Sequence, residues 1–448
     1  TIPDTLFSIK EYGNRCTSEV AIFILKENSE KTGQKRILLA SFFTLLNDRM
    51  SESILLGLLP GFVRQFIDSA RVFAYISCTY SLAQFIASPS IGLFSDKFGR
   101  RPVMLICILG SIFGISLLAF TVLFDWSHSY LIAGTSSLLP IYLLFTARLI
   151  DGISGGTVAT ATTVLADISS PENRAKTFGL IGVAFGLSFL LGPSAVLIFT
   201  RNSNNGYLIP VLLATIIPFI NFLLVLFYLP ETKPNQSFSN LNKKSGSNPF
   251  KGLFKVFKEN RIKKLSLAFF IYFIAFTGLT TILVFFLQDS QGWSVKASNG
   301  PLVVVGIIAI IVQGGLIGPL VKQFGELRLT IIGSGFILLA CLILITFPDK
   351  NAGTYIYLAV SFLAIGAGLI TPSIRALIST KIDKNSQGSI LSSLQGLQSL
   401  GSVLGYVLAG NVYDYFGSRS PFIAGGFILL IMIWLITGSK IQKKVTIV

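Results

Sequence analysis

The segment Gly92–Arg101, with the sequence GLFSDKFGRR, joins two apolar runs at residues 73–93 and 102–124. It places two glycines, one carboxylate and three basic residues within ten positions. Glycine adopts backbone angles that strain other residues, so Gly99 predicts a tight turn, and Asp96 can cap the helix that follows or pair with a neighbouring arginine. A short charged turn between two long apolar runs is typical of a loop that connects two membrane-spanning helices.

The composition of the whole chain also indicates a lipid environment. Of its 448 residues, 52% are hydrophobic and 12% are charged, and the mean hydropathy is +0.72. A soluble domain carries about 25% charged residues, because polar side chains must cover its surface. The net charge of +16 does not indicate a nucleic-acid-binding face, because the basic residues lie in short segments between apolar runs. We therefore expect the lipid bilayer, and no nucleic acid, as a partner.

Twelve apolar runs are long enough to cross a bilayer core, which needs about 20 helical residues. They lie at residues 37–62, 73–93, 102–124, 138–165, 178–200, 207–229, 265–287, 300–321, 328–347, 354–378, 388–412 and 420–439. The first run is the doubtful one, because Asp48, Arg49 and Glu52 interrupt it. Without it the basic N-terminal residues would move to the outer side, so we predict that it crosses as a helix.

Lysine and arginine predict the orientation of the helices, because cytoplasmic loops carry more of them. If the N-terminus is cytoplasmic, most of the 36 Lys and Arg residues lie in cytoplasmic segments. The basic loop residues on the opposite side are Arg64, Arg71, Arg201, Lys296, Lys350 and Arg419. We expect cytoplasmic termini in a multi-pass protein of the plasma or bacterial inner membrane. Because the chain starts at Thr1 rather than Met, we expect a trimmed or incomplete start.

The runs fall into two halves of six helices, separated by a linker. Residues 230–264 are rich in Asn, Ser and Lys and predict a flexible cytoplasmic linker, with a candidate surface helix at 250–257. The predicted units are an N-terminal segment at 1–36, bundles at 37–229 and 265–439, and a tail at 440–448. Since Gly318–Gly325 is a weaker counterpart of Gly92–Arg101, we predict an all-α integral membrane fold with two pseudo-symmetric six-helix bundles and a site between them.

The segment Gly92–Arg101 resembles the signature loop of the major facilitator superfamily, in which Gly is followed after three residues by Asp, a basic residue, any residue, Gly and two basic residues. The matching positions are Gly92, Asp96, Lys97, Gly99, Arg100 and Arg101. The resemblance implies the major facilitator fold, transport by alternating access, and a gating role for these residues. It also implies that Asp167, at the end of the fourth helix, joins them in a charge cluster at the cytoplasmic gate. A basic loop that only obeys the positive-inside rule is the alternative interpretation.

The fourth and fifth helices carry two further patterns. Arg148 and Asp151 are three residues apart and can pair on one helix face, as a functional group or as a purely structural ion pair. The stretch GLIGVAFGLSFLLGPSAV at residues 179–196 is similar to the antiporter signature of the drug/proton exchangers, although Ser188 stands where a glycine is expected. The residues assigned to this antiporter helix are Gly182, Gly186, Gly192 and Pro193.

Nearly everything after residue 36 resembles the tetracycline/proton antiporter-like branch of twelve-helix drug exporters. The features that carry this resemblance are Asp48 with Pro60, Ala166–Ile168, Leu229–Thr232 and Gln288–Ser294. The resemblance implies secondary active, proton-coupled efflux of a small amphipathic or drug-like solute, but it does not identify the solute. A major facilitator importer or facilitator of a sugar or other metabolite is the alternative function.

Ionisable groups inside a bilayer are costly, so they mark candidate functional positions. A polar stripe on the first helix consists of Thr44, Asp48, Ser51 and Glu52. We expect this stripe to line the cavity and its carboxyl groups to titrate as a coupled set. The predicted proton-coupling residues are Asp48, Glu52, Arg148 and Asp151. The alternative is a salt-bridged cluster around Arg49 that only fixes helix packing.

Candidate residues for the wall of the substrate cavity are polar or aromatic side chains within apolar helices. They are Thr44, Tyr272, Phe276, Thr280, Gln313, Gln395 and Gln398. Each of them also suits helix packing. A wall of this kind would fit an amphipathic or aromatic solute.

Other classes of membrane protein fit the sequence less well. An intramembrane enzyme would need a nucleophile with a base or metal ligands, but the only histidine is His128, in a predicted outer loop, and the four cysteines have no zinc spacing. A channel would need a continuous pore-lining ring, whereas the duplicated signature loop favours two moving halves. We expect a monomeric transporter without enzymatic activity, cofactor or metal, which acts on a small-molecule substrate and protons.

Overall fold

The computed structural model describes residues 34, 36–124, 126, 138–168, 174–200, 206–232, 259, 261–347, 352–381 and 387–438, and all regular secondary structure among them is helical. The helices of the first half are α1 at 36–63, α2 at Ala70–Phe98, α3 at Arg100–Leu123, α4 at Leu139–Ser154 and Thr157–Ile168, α5 at Arg174–Phe199 and α6 at Leu208–Tyr228. Those of the second half are α7 at Lys263–Asp289, α8 at Gly300–Ile311 and Ile317–Phe324 with a π turn at Val312–Leu316 between them, α9 at Glu326–Thr346, α10 at Ala352–Thr380, α11 at Gln387–Phe416 and α12 at Ser420–Thr437. A short helix at Val295–Ser298 precedes α8.

Each of the twelve apolar runs forms a helix, including the doubtful first one. Among the described residues, eight helices are long and apolar enough by composition to cross a membrane. α1, α2, α4 and α11 are not among them. These four carry polar side chains that the fold buries, such as Ser53, Gln84, Arg148 and Ser399. Residues 1–33, the candidate surface helix at 250–257 and the tail at 440–448 lie outside the described residues.

The helices pack as two bundles, α1–α6 and α7–α12. Within the first bundle α3 packs against α4 and α6, and within the second α9 packs against α10 and α7 against α12. The bundles meet where α2 packs against α11 and where α5 packs against α8. Each contact joins the second helix of one half to the fifth helix of the other. This exchange is the arrangement expected for two related six-helix repeats.

The contact between α5 and α8 brings two backbones together. A Cβ atom on Gly306 would overlap the backbone of Phe189 and Leu190, and one on Gly186 would lie 3.0 Å from the backbone nitrogen of Ile310. Because only glycine permits such an approach, these two positions determine how closely the halves meet.

The end of the molecule opposite the α2–α3 turn is closed by contacts between the halves. Asp414 of α11 accepts hydrogen bonds from the Ser69 hydroxyl at 2.6 Å and the Ala70 backbone N–H at 3.1 Å. A carboxylate of the second half therefore caps a helix of the first half. Arg64, just after α1, pairs with Asp289 of α7 at 3.2 Å. We call Arg64, Ser69, Asp289 and Asp414 the latch.

An aromatic contact lies next to the latch. Phe73 of α2 and Phe285 of α7 stack with ring centroids 6.1 Å apart. Both side chains are fully buried, and Phe73 also lines a cavity between the two bundles. The polar latch is thus backed by an apolar contact between the halves.

Candidate functional site

A cavity, which we call the central cavity, lies between the two bundles. Helices from both halves contribute to its wall. Its polar lining includes Arg49, Glu52, Ser77, Tyr80, Ser81, Gln84, Arg148, Thr277, Thr280, Thr281, Gln395, Gln398, Ser399, Ser402 and Tyr406. Its apolar lining is Leu55, Leu56, Leu59, Phe73, Phe185, Phe189, Phe273 and Phe276. The combination suits a solute that has both an aromatic surface and polar groups.

The charged side of the cavity starts on α1. The guanidinium of Arg49 lies 2.9 Å from a carboxylate oxygen of Asp48 and 2.5 Å from one of Glu52. Thr157, at the start of the second segment of α4, donates a hydrogen bond of 3.0 Å to Asp48. Two carboxylates therefore share one guanidinium, and only Glu52 of the two lines the central cavity.

A second charged pair lies on α4, where Arg148 and Asp151 are 3.2 Å apart. The Arg148 guanidinium also lies over the Tyr80 ring, 4.4 Å from its centre, which holds it at the cavity wall. A second, smaller cavity is lined by both Asp48 and Asp151. Its lining shares Glu52, Tyr80 and Arg148 with the central cavity.

All four predicted proton-coupling residues line one or both of these cavities. Asp48, Glu52 and Asp151 supply three carboxylates, whereas Arg49 and Arg148 supply two guanidinium groups. One carboxylate in this set is not balanced by an arginine of the set. Protonation of either Asp48 or Glu52 would leave Arg49 paired with the other carboxylate and Arg148 paired with Asp151.

The aromatic side of the cavity is built by α5 and α7. Phe185 and Phe189 lie with ring centroids 4.7 Å apart, and Phe273 and Phe276 meet edge to face at 6.3 Å. Phe276 also stacks on Tyr272, with centroids 5.5 Å apart and planes at 16°. Phe185, Phe189, Phe273 and Phe276 thus form an aromatic part of the cavity wall.

Four of the seven predicted wall residues line the cavity: Phe276, Thr280, Gln395 and Gln398. Thr44 lies instead against α6, where its hydroxyl is 3.1 Å from the Asn221 side-chain oxygen. Tyr272 is fully buried behind Phe276 with its hydroxyl 3.1 Å from that of Thr371. The Gln313 side chain reaches α5, within 2.8 Å of the point where a Cβ on Gly182 would lie.

The Gly92–Arg101 segment forms the end of α2 and the start of α3. Gly99 joins the two helices with φ of 99°, a value that favours glycine. Glu231, which follows α6, accepts hydrogen bonds from the backbone N–H groups of Arg100 and Arg101 at 2.8 and 3.1 Å. A glutamate from the chain after α6 therefore caps α3. The side chains of Asp96 and Asp167 lie outside the described residues.

The family model described as Major Facilitator Superfamily matches residues 37–405. The chain belongs to this superfamily. It is therefore a multi-pass membrane transporter with the twelve-helix major facilitator fold. The predicted superfamily and fold are confirmed.

Several members of the superfamily are similar to this transporter. The class C tetracycline resistance protein of Escherichia coli is 28% identical over 382 residues, which cover 83% of this chain and 88% of that protein. The solved structure of the human organic anion transporter MFSD10 has a TM-score of 0.66 and 23% sequence identity, and the match covers 90% of this chain and 99% of that one. The nucleoside transporter NupG gives the same TM-score at 13% identity, with the same coverage.

In this transporter the glycines of the predicted antiporter helix are contact points. Gly182 and Gly186 face α8, whereas a Cβ on Gly192 would lie 3.2 Å from the backbone nitrogen of Ile54 in α1. α5 continues through Pro193 without a break. The hydroxyl of Ser188 lies 2.6 Å from the Ala184 carbonyl of its own helix and 3.0 Å from the Leu46 carbonyl of α1, so either can accept its hydrogen bond.

Sequence reasoning did not select several residues that the fold brings to the site. Gln84 of α2 donates to the Gly155 carbonyl at 3.0 Å and accepts from Ser399 of α11 at 3.4 Å. Arg375 of α10 donates to Gln395 and Gln398. The sequence marks these residues only as polar positions within apolar runs. It does not show which of them contact each other in the fold.

Proposed function

We propose that this transporter exports a small amphipathic, aromatic solute in exchange for protons. The observation that carries the proposal is the joined set of Asp48, Glu52 and Asp151 beside a cavity with an aromatic wall. Charges buried within a membrane are costly and persist where they serve transport. Asp48 and Glu52 around Arg49 form a coupled pair of proton acceptors, and Asp151 beside Arg148 is the third.

The sequence relatives support export. The class C tetracycline resistance protein is named for resistance to a drug and matches most of this chain, and α5 contains the Gly182, Gly186, Gly192 and Pro193 pattern of exchangers. Proton entry down the membrane potential contributes about 2.3 kcal/mol per charge per 100 mV and would drive the solute outward. Protons and solute bind to different conformations, and the two halves move against each other between them.

Import or facilitated diffusion of a metabolite is the second candidate function. The similarity in fold to the nucleoside transporter NupG is compatible with it, but at 13% identity this similarity concerns the fold alone. The aromatic rings of Phe185, Phe189 and Phe276 at the cavity favour a more apolar solute than a sugar.

Purified transporter in proteoliposomes would separate these functions. With tetracycline and a fluorescent aromatic dye as probes, an exchanger accumulates the probe when the lumen is made acidic, because protons leave as the probe enters. A proton-coupled importer accumulates it when the outside is acidic, and a facilitator only equilibrates it. Equal accumulation after a protonophore has collapsed the pH gradient would contradict proton coupling.

We further propose that the transporter acts as a monomer in the plasma or bacterial inner membrane, with both termini and the linker at 230–264 in the cytoplasm. The bundles at 37–229 and 265–439 then form the two moving units. The distribution of Lys and Arg supports this orientation. The signature residues Gly92, Asp96, Lys97, Gly99, Arg100 and Arg101 would act with Asp167 at the cytoplasmic gate, opposite the latch.

A further inference from the structure

Arg375 differs in its partners from Arg49 and Arg148, the two arginines that line the central cavity. Arg49 and Arg148 each pair with a carboxylate. Within the part of the chain that the structure describes, Arg375 has no acidic partner: its Nη2 donates to the amide oxygens of Gln395 and Gln398 at 3.4 and 2.5 Å. Its guanidinium also lies over the Phe269 ring, 5.6 Å from the centre.

A cation without a counter-ion is costly inside a membrane protein, because neutral amides replace only part of its hydration. The guanidinium of Arg375 also retains donor capacity. Both described hydrogen bonds leave from Nη2, and the buried Nε–H has no partner. A guanidinium carries five N–H donors in a planar fork that matches a carboxylate or a similar anion.

The location of Arg375 connects it to the solute site. Gln395 and Gln398, to which it is bonded, both line the central cavity, as does Phe276 on the adjacent wall. The first half contributes Arg49, Glu52 and Arg148 to the wall of this cavity, and each of these charges has an oppositely charged partner. Arg375, by contrast, has no acidic partner among the described residues and lies beside Phe269 of α7, whose neighbours Phe273 and Phe276 line the cavity.

We propose that Arg375, together with the amides of Gln395 and Gln398, binds an anionic group of the transported solute, a carboxylate or a group of similar charge and shape. The aromatic part of the solute then packs on Phe276 and the neighbouring rings. This inference rests on the proposed function only in that the central cavity is taken as the solute site, and it holds for export or import. In this interpretation Arg375 determines which solutes bind, and its contacts with α11 do more than hold α10 and α11 together.

Binding of a matched pair of probes tests the inference. 2-Naphthoate and its neutral carboxamide differ in charge but hardly in shape, and their dissociation constants would be measured with the full-length transporter in phosphatidylcholine nanodiscs, which keep anionic headgroups away. We expect the wild type to bind the carboxylate about ten- to a hundredfold more tightly than the amide, as for a charge-assisted bidentate contact. Arg375→Gln should remove this preference, whereas Arg328→Gln, which removes an equal charge from an exposed position of α9, should retain it.

Gln398→Glu gives a second test that keeps Arg375 in place. The new carboxylate would lie against the guanidinium and occupy the anion position, so the transporter should remain folded and bind 2-naphthoate as weakly as Arg375→Gln does. If Arg375 only joins α10 to α11, the stronger pair should leave the carboxylate preference unchanged. That result would overturn the inference, as would failure of the wild type to bind 2-naphthoate more tightly than the amide.

The outcomes separate this inference from the proposed exchange. If the carboxylate preference depends on Arg375 but transport does not respond to the pH gradient, the anion site is supported and proton coupling is contradicted. Proton-driven transport of tetracycline with equal binding of naphthoate and naphthamide supports exchange and contradicts the anion site.

Discussion

Arg49 holds two carboxylates on one turn of α1, and this sharing determines what a substitution there changes. Asp48 accepts a hydrogen bond from Thr157 in α4 as well as the contact with Arg49, whereas Glu52 lies at the central cavity. Of the two cavities, Asp48 thus lines only the smaller one, whereas Glu52 lines both. The two carboxylates therefore occupy different positions on the same proton pathway in our proposal.

We expect Asp48→Asn to abolish solute movement driven by a pH gradient while solute exchange at equal pH continues. Asparagine keeps the size and the oxygen that accepts from Thr157, and Arg49 retains Glu52, so the helices should remain packed. Glu52→Gln should reduce gradient-driven movement less than Asp48→Asn does if Asp48 is the main proton acceptor. It should reduce that movement equally if the two carboxyl groups bind protons as a pair.

Proteoliposomes with an imposed gradient would measure both effects, and Asp68→Asn is the control because it removes an exposed carboxylate. If the double variant at Asp48 and Glu52 still accumulates solute at the wild-type rate, coupling lies elsewhere, with Asp151 the next candidate.

Spacing along a helix was enough to predict some of these contacts but not others. The pairing of Arg148 with Asp151 follows from their separation by three residues. The same reasoning placed Thr44 on the cavity face with Asp48, but Thr44 lies one turn earlier and meets α6 instead. Periodicity identifies which residues share a face, whereas the neighbour that covers each turn depends on how the helix crosses the bundle. The contacts of Arg375 with α11 depend on such packing and could not be predicted.

Among the elements, α5 and α8 show how glycine sets the distance between the halves. Backbone contact at Gly306 leaves no room for a side chain, and the π turn at Val312–Leu316 follows directly in α8. The length of the apolar runs predicted both helices, and the resemblance to the antiporter signature singled out Gly186 on α5. The π turn could not be predicted, because runs of apolar residues carry no signal for a local change in hydrogen bonding. Gln313, whose side chain contacts α5, lies within this turn.

We expect Gly306→Ala to destabilise the transporter by about 1–3 kcal/mol, as overpacking does in other tightly packed cores. The added methyl group would overlap the backbone of Phe189 and Leu190. Gly318→Ala, in the same α8, is the matched control because nothing lies within 4 Å of the new methyl group. It should leave stability unchanged or raise it slightly, since alanine favours helix more than glycine does.

Thermal unfolding of both variants in detergent would measure the difference. Equal midpoints for the two variants would show that α5 and α8 separate easily, and would contradict the idea that this contact fixes the distance between the halves.

The orientation of the whole molecule is tested by cysteine labelling. In a background without the four native cysteines, a membrane-impermeant maleimide added outside should miss cysteines at positions 245 and 440 and label one at 204. These positions lie outside the described residues, in predicted loops and the tail. The expectation follows from the excess of Lys and Arg on the side of the α2–α3 turn. Labelling of position 245 from outside would contradict the proposed orientation.

At the scale of the two halves, Arg64 of the latch pairs with two carboxylates, one from each half. Asp289 pairs with Arg64 across the halves, whereas Asp68 pairs with it at 3.0 Å from within the same half. Alternating access requires the cross-half contact to break when the cavity opens at this end. Partly exposed pairs of this kind contribute about 0.5–1 kcal/mol. Loss of Asp289 should therefore raise the population open at the latch, and loss of Asp68 should not.

We expect Asp289→Asn to increase the rate at which an impermeant maleimide labels a cysteine at Ser77, a cavity position, by about two- to fivefold, the change in population that such an energy gives. Asp68→Asn keeps the contact between Arg64 and Asp289, so its labelling rate should equal that of the wild type. The maleimide is added from the latch side in the background without native cysteines. Equal acceleration by both substitutions would indicate a general loosening around Arg64, and no acceleration by Asp289→Asn would mean that the latch does not hold the halves closed.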